Sequence, residues 1–173
     1  MNHGRRGMSF ENTVNYTNNL YNHKGKAIIN KRPTPMKIIG KTRGNQHLCI
    51  FSEKSTVDYD GIYLGKPVVF EAKTTKLKRF PLDMITDSQV EYLQQAEKHG
   101  AVSFVLIEMR IVNDVFLIPN NMLQKYLKAA NKGARKSIPL QDLEIYAHLV
   151  TTQNGVPLDY LSVVDKLIKE GVA

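Results

Sequence analysis

The stretch Pro67–Lys73, PVVFEAK, decides how the chain is read. It runs apolar as a buried strand would from Pro67 to Phe70, then places a carboxylate and an ammonium two positions apart. Side chains alternate across a strand with a period of two, so Glu71 and Lys73 share the face of Val69 while Ala72 points the other way. The two charges therefore occupy one small volume. Taken alone they are an ordinary ion pair at a strand end, worth little energetically. The surrounding chain decides whether they mean more.

Upstream, Val57–Tyr63 alternates as a strand and reaches Lys66–Lys73 through Leu64-Gly65, a hairpin turn. Antiparallel pairing then brings Asp58 to the end of the sheet that holds Glu71. Farther upstream, Phe10, Val14, Thr17 and Tyr21 lie on one stripe of a helix from Ser9 to Tyr21, with Ser9 as its cap. KAIINKR is a short strand, broken by the prolines of RPTP. Met36–Ile39 and His47–Ser52 form a hairpin around the basic tip GKTRGN, and its short sides and polar tip predict that it projects.

Downstream, TTKLKRFPL reads as a basic loop. A capped helix spans Thr86–His99, ending before Gly100. Strands at Ala101–Met109 and Val112–Ile118, a helix over Asn120–Ala130, a basic loop NKGARKS and a terminal helix over Asp159–Glu170 complete the pattern. This order predicts an α/β three-layer sandwich with a mixed central sheet, its crossover after Lys73 right-handed, and one domain over residues 1–173.

Charge is unevenly distributed. The net charge of the 173 residues is +8, yet residues 24–79 alone hold 13 Lys and Arg against 4 Asp and Glu, a balance of +9. The excess thus surrounds Asp58, Glu71 and Lys73. Cations around a few clustered carboxylates suit a phosphodiester substrate and a divalent ion: the cations hold the backbone and the acids hold the metal. The single cysteine, Cys49, excludes an internal disulfide or a cysteine-cluster zinc site and agrees with a reducing compartment. The longest apolar run, Ala101–Ile107, falls far short of the roughly 20 residues of a membrane span. MNHGRRGMSF lacks the apolar segment of a secretory signal, so a cytoplasmic protein is expected. The five histidines have no ligand spacing and read as structural, as Tyr59 and Tyr63 read as packing.

The pattern Asp58…Glu71-x-Lys73 supplies what phosphodiester hydrolysis needs: acids for a cation, and a lysine to orient or deprotonate a water. The spacing is permissive, but it stands in an ordered set: GRRGMSFE, KRPTP, STVDYDGIYLGK, FEAKTTK, FPL, Ser88-Gln89, GARKSI and DYLSVV. That set resembles the RecU family of Holliday junction resolvases, within the PD-(D/E)xK nuclease superfamily, from Gly4 to about Leu167. The chain departs from the family in having almost nothing before GRRGM and in a somewhat shorter stalk.

The resemblance implies a restriction-endonuclease-like core and a metal-dependent, junction-specific endodeoxyribonuclease acting in recombination and repair. Asp58 and Glu71 would hold Mg2+, with Mn2+ as a substitute. Lys73 would be the active-site lysine and Gln89 its companion. Glu11 would be a further acidic ligand, although an ordinary acid at a helix N-terminus fits it equally well. Met36–Ser52 would be the stalk that enters the open junction centre. The expected DNA-binding set is Arg5, Arg6, Lys31, Arg32, Lys37, Lys41, Arg43, Lys76, Lys78, Arg79, Arg135 and Lys136. The expected partners are four-way junction DNA, a second copy of the chain as a homodimer, and a strand-exchange recombinase or branch-migration proteins. A nucleoid-associated protein of host or phage origin is implied, with no membrane partner. Two alternatives fit the same residues: a non-catalytic junction-binding factor, and a restriction-type nuclease with another substrate geometry.

Overall fold

A computed structural model describes residues 9–41, 44, 47–51 and 56–171. Its centre is the strand opened above. β5 (Lys66–Thr75) pairs antiparallel with β4 (Tyr59–Tyr63) on one side and parallel with β7 (Val102–Met109) on the other. β1 (Ile28–Lys31) adds to β4, β8 (Asp114–Pro119) adds to β7, and β10 (His148–Val150) adds to β8, all antiparallel. The six-stranded order is β1-β4-β5-β7-β8-β10. The sheet is mixed because only β5 and β7 are parallel, and α2 (Asp87–Lys98) makes the crossover that a parallel pair requires.

The alternation along β5 feeds two cores. Phe70 packs with Tyr59 and Phe104 in a stack with 4.8 Å between successive ring centroids. That face is covered by Phe10, Val14 and Tyr21 of α1 (Phe10–His23) and by Leu161, Val164 and Leu167 of α5 (Leu161–Lys169). Val69, Val105 and Ile107 point the other way, against Leu93 of α2, Leu123 of α3 (Asn120–Asn131) and Leu143 of α4 (Leu140–Tyr146). A sheet apolar on both faces has to be covered on both, and the three-layer arrangement follows. Ser9 caps α1 as its sequence predicts, its side chain accepting from the Asn12 N–H at 3.3 Å. Across that layer Tyr21 donates to Asp159 at 2.8 Å, tying α1 to the start of α5.

Four readings of the sequence are corrected. Strand β4 starts at Tyr59, leaving Asp58 just outside it. The basic loop after Lys73 is shorter than expected: β5 continues to Thr75, and β6 (Arg79–Pro81) pairs with β9 (Ser137–Pro139). Three-residue strands carry too little periodicity to be seen, and their basic residues read as loop. The segment after Pro139 forms α4 and then β10, neither of which was expected. The terminal helix begins at Leu161: the Asp159 N–H donates to the Thr151 carbonyl at 3.0 Å, and the first helical bonds run from the Val163 and Val164 N–H groups to the Tyr160 carbonyl.

The hairpin of β2 (Met36–Lys41) and β3 (His47–Phe51) is a separate two-stranded sheet, exposed along nearly its whole length. Thr42, Arg43 and Asn45 of the tip, and Ser52, lie outside the described residues. Met36, Ile38, Ile39, Leu48, Ile50 and Phe51 are all 49–70% exposed, which the polar tip does not suggest.

At the β1–β4 contact the backbones approach as only glycine allows. A Cβ on Gly61 would stand 2.1 Å from the Ile28 carbonyl oxygen and 2.6 Å from Ile29 Cα. Gly61→Ala is therefore expected to destabilise the protein by more than about 2 kcal/mol in urea unfolding, an overpacking cost borne by backbone. A change below about 0.5 kcal/mol, the usual surface value, would contradict the Gly61–Ile29 register.

Candidate active site

Asp58 and Glu71 face each other across the start of the β4–β5 ladder, and each is held by the other's strand. The Asp58 N–H donates to Glu71 Oε2 at 3.0 Å, and the Ala72 N–H donates to Asp58 Oδ2 at 3.1 Å. The hairpin brings the two acids together as expected, and its main chain orients both. A carboxylate that accepts main-chain N–H bonds loses rotamer freedom, so this pair is fixed before any ligand arrives.

The second oxygen of Glu71 takes two more donors, Lys73 Nζ at 2.6 Å and Gln89 Nε2 at 2.6 Å. Glu71 is fully buried and Lys73 is 20% exposed. Lys73 thus shares Glu71's face, as the strand period requires. Gln89 reaches the pair from α2, and its orientation is set locally. Thr86 and Gln89 form a capping box in which the Thr86 N–H donates to Gln89 Oε1 at 3.0 Å and the Thr86 hydroxyl accepts from the Gln89 N–H at 3.3 Å. A backbone donor can bond only the amide oxygen, so the amide nitrogen faces Glu71. The T-x-x-Q spacing at Thr86 was the signal for this role.

Burial pushes Glu71 up to about 7. Its hydrogen bond to Lys73 opposes the rise, while the charge of Asp58 adds to it. One ammonium does not compensate two clustered acids in this volume. The donor set is hard oxygen from two carboxylates, which suits a hard divalent cation that keeps waters in its shell. Among the described residues, no group of three His, Cys, Asp or Glu side chains converges at metal-holding distance. Glu11 stands on α1, on the other face of the sheet, about half exposed and paired with Lys31 Nζ. Burial raises the Tyr59 hydroxyl, and Glu11, Asp58 and Glu71 all add to that rise, so Glu11 and the acid pair act on Tyr59 from opposite sides of the sheet.

The cations divide into two sets. Lys31 is engaged by Glu11, and Arg32 by Asp60 at 3.1 Å. Lys37 and Lys41 on the hairpin, and Lys76, Lys78, Arg79, Arg135 and Lys136 near the β6–β9 ribbon, are exposed. Lys78, Arg79 and Arg135 line a cavity of about 400 Å3 with Ser137, Pro139 and Gln141, and among the described residues no acid lines it. Arg5, Arg6 and Arg43 lie outside the described residues. Asp60 was missed, although it sits two positions after Asp58 and so on the same face. Among the described residues no helix is long and apolar enough to cross a membrane.

The family model of RecU, recombination protein U, matches residues 5–166. The Holliday junction resolvase RecU of Geobacillus sp. (strain WCH70) is 37% identical over 172 residues, covering 96% of this chain and 86% of its own. Its counterpart from Pediococcus pentosaceus is 35% identical over 173 residues, covering 96% and 86%. Among solved structures, Archaeoglobus fulgidus Hjc, a Holliday junction resolvase, superposes with a TM-score of 0.46 at 13% identity, over 79% of this chain and 94% of its own. By its sequence, over nearly its whole length, the chain belongs to the RecU family.

Proposed function

We propose that this protein is an endodeoxyribonuclease that resolves four-way DNA junctions, with Asp58 and Glu71 holding Mg2+, for which Mn2+ can substitute. The observation that carries the reading is the buried Glu71 carboxylate with Asp58, Lys73 and Gln89 converging on it. Burying a carboxylate is costly unless it is paired and hydrogen-bonded, and perturbed carboxylates of this kind concentrate at functional sites. When bound, the cation would neutralise the non-bridging phosphate oxygens and acidify a water. Asp58 and Glu71 supply its oxygens in a fixed orientation. Lys73 orients the attacking water, its ammonium held by Glu71, and Gln89 keeps Glu71 from rotating. Exposed Lys37, Lys41, Lys76, Lys78, Arg79, Arg135 and Lys136 bind the phosphate backbone.

The hairpin supports a second part of the reading. Six large apolar side chains stand exposed on two short strands. Exposed apolar side chains concentrated on one element mark an interaction surface, and a second copy of the chain would cover them in the homodimer that a two-fold junction favours. Each protomer would cut one strand. Partnership with a strand-exchange recombinase or branch-migration proteins belongs to the same proposal.

Glu71→Gln and Asp58→Asn are expected to lower junction cutting at least a thousandfold while leaving junction affinity within about twofold, since affinity rests on the cations. Near-normal turnover by Glu71→Gln would remove the assignment.

The ionisation of Glu71 gives a sign to stability. A folded-state value near 7 against an ordinary 4.5 means that the stability advantage of its neutral form is full below pH 4.5 and lost as pH rises through 7. Wild type should therefore lose stability relative to Glu71→Gln over that window, by at most about 3 kcal/mol. Magnesium should restore it at the upper end. A pH-independent difference in denaturant unfolding would contradict the buried acid.

On the hairpin, Ile38→Asp changes a side chain that is 59% exposed and touches no core. It should shift the protein toward monomer in sedimentation equilibrium and reduce paired cutting. An unchanged dimer would place the interface elsewhere.

A further inference from the structure

Arg32 belongs to the basic stretch that suggests DNA contact, yet its described contacts all go inward. Its N–H donates to the Asp58 carbonyl at 2.7 Å, extending the β1–β4 ladder by one residue beyond Lys31–Tyr59. Its Nε pairs with Asp60 Oδ2 at 3.1 Å, its Nη1 donates to Thr56 Oγ1, and its guanidinium lies 5.2 Å from the centroid of the Tyr92 ring. Thr56 and Asp60 flank Asp58 by two residues on either side. Tyr92 stands three residues beyond Gln89 on α2. One side chain therefore joins the segment carrying Asp58 to the helix carrying Gln89.

We propose that Arg32 is a positioning residue for cleavage: its guanidinium holds Asp58 and α2 in register, and it takes no part in binding the DNA backbone. The inference rests on the nuclease reading and adds a role to it. Three partners are engaged at once: Nε by Asp60, Nη1 by Thr56, and the cationic centre over the Tyr92 ring. A planar fork can do this and a lysine ammonium cannot. The ion pair also engages the third acid on that stretch of chain, so Asp60 does not add its charge unpaired beside Asp58 and Glu71. The recorded side-chain bonds engage Nε and Nη1, and the side chain is 34% exposed.

The test compares wild type with Arg32→Met, Arg32→Lys, Asp60→Asn and Tyr92→Leu. Affinity for a labelled four-way junction is measured across a salt series without divalent ion, single-turnover cutting across a Mg2+ series, and the melting temperature alongside. Arg32→Met should cut at least tenfold more slowly and need more Mg2+ for half-maximal rate, with affinity within twofold of wild type and an unchanged salt slope. Arg32→Lys should keep affinity but recover only part of the rate. Asp60→Asn and Tyr92→Leu should slow cutting without tightening binding. A salt slope reduced by about 0.9, the loss of one phosphate contact, with cutting reduced only in proportion to binding, would overturn the proposal. So would full cutting by Arg32→Lys, which decides the matter if Arg32→Met does not fold. Tighter junction binding by Asp60→Asn with unimpaired cutting would identify Arg32 as a DNA contact instead. Wild-type protein that binds the junction and never cuts it would overturn the nuclease reading, and this role with it. Normal wild-type cutting with unaffected variants overturns the Arg32 role alone.

Discussion

Two reciprocal hydrogen bonds across one strand pair underlie the account: the Asp58 main chain holds the Glu71 carboxylate, and the Ala72 main chain holds the Asp58 carboxylate. Neither acid depends on a flexible partner for its orientation. The price is set by register. A slip of β4 against β5 by one residue would turn the acids to opposite faces and break both bonds. The constraints that fix this register are therefore constraints on the site. The Leu64-Gly65 turn sets it at one end, with both residues at positive φ, and the stack of Tyr59, Phe70 and Phe104 sets it within the core.

The two layers of helices then divide the work. The layer with α1 and α5 supplies the aromatic stacking that holds the strands, and it buries Thr17, Asn18 and Asp159 beside it. The opposite face is apolar toward its centre and polar where Glu71, Lys73 and Gln89 meet. A helix N-terminus stands at that point, and its capping box closes two backbone donors while aiming an amide at the buried carboxylate. One local motif thus ends a helix cleanly and completes a polar cluster. Buried polar groups are tolerated where each has a partner, and at Glu71 both oxygens are occupied by donors.

Much of this was legible in the sequence, because the governing pattern has a short period. Alternation in PVVFEAK placed Glu71 and Lys73 together, and the Leu64-Gly65 turn brought Asp58 to them. The long strands β5, β7 and β8 and the helices α1 to α3 carry enough repeats to show their period. The short elements do not. β6, β9 and β10 have three residues each, and the pairing that makes them strands is contributed by partners distant in the chain. The inward commitment of Arg32 was invisible for a related reason. Composition reports a charge but not its partner, and Asp60, Thr56 and Tyr92 converge on Arg32 only after β1 pairs with β4 and α2 packs. The apolar sides of the hairpin were present in the sequence, but its basic tip dominated the reading.

On the proposed reading, the clustered acid pair, the lysine held at its edge and the exposed cationic surface serve hydrolysis of a DNA backbone at a four-way junction. The most direct measurement uses one labelled four-way junction and a linear duplex of the same sequence, each incubated with the protein in Mg2+ and in chelator, with the products mapped on all strands. The account predicts nicks at symmetric positions in two opposed strands of the junction, only with the cation, and little cutting of the duplex. Equal cutting of junction and duplex, or undiminished cutting in chelator, would contradict it.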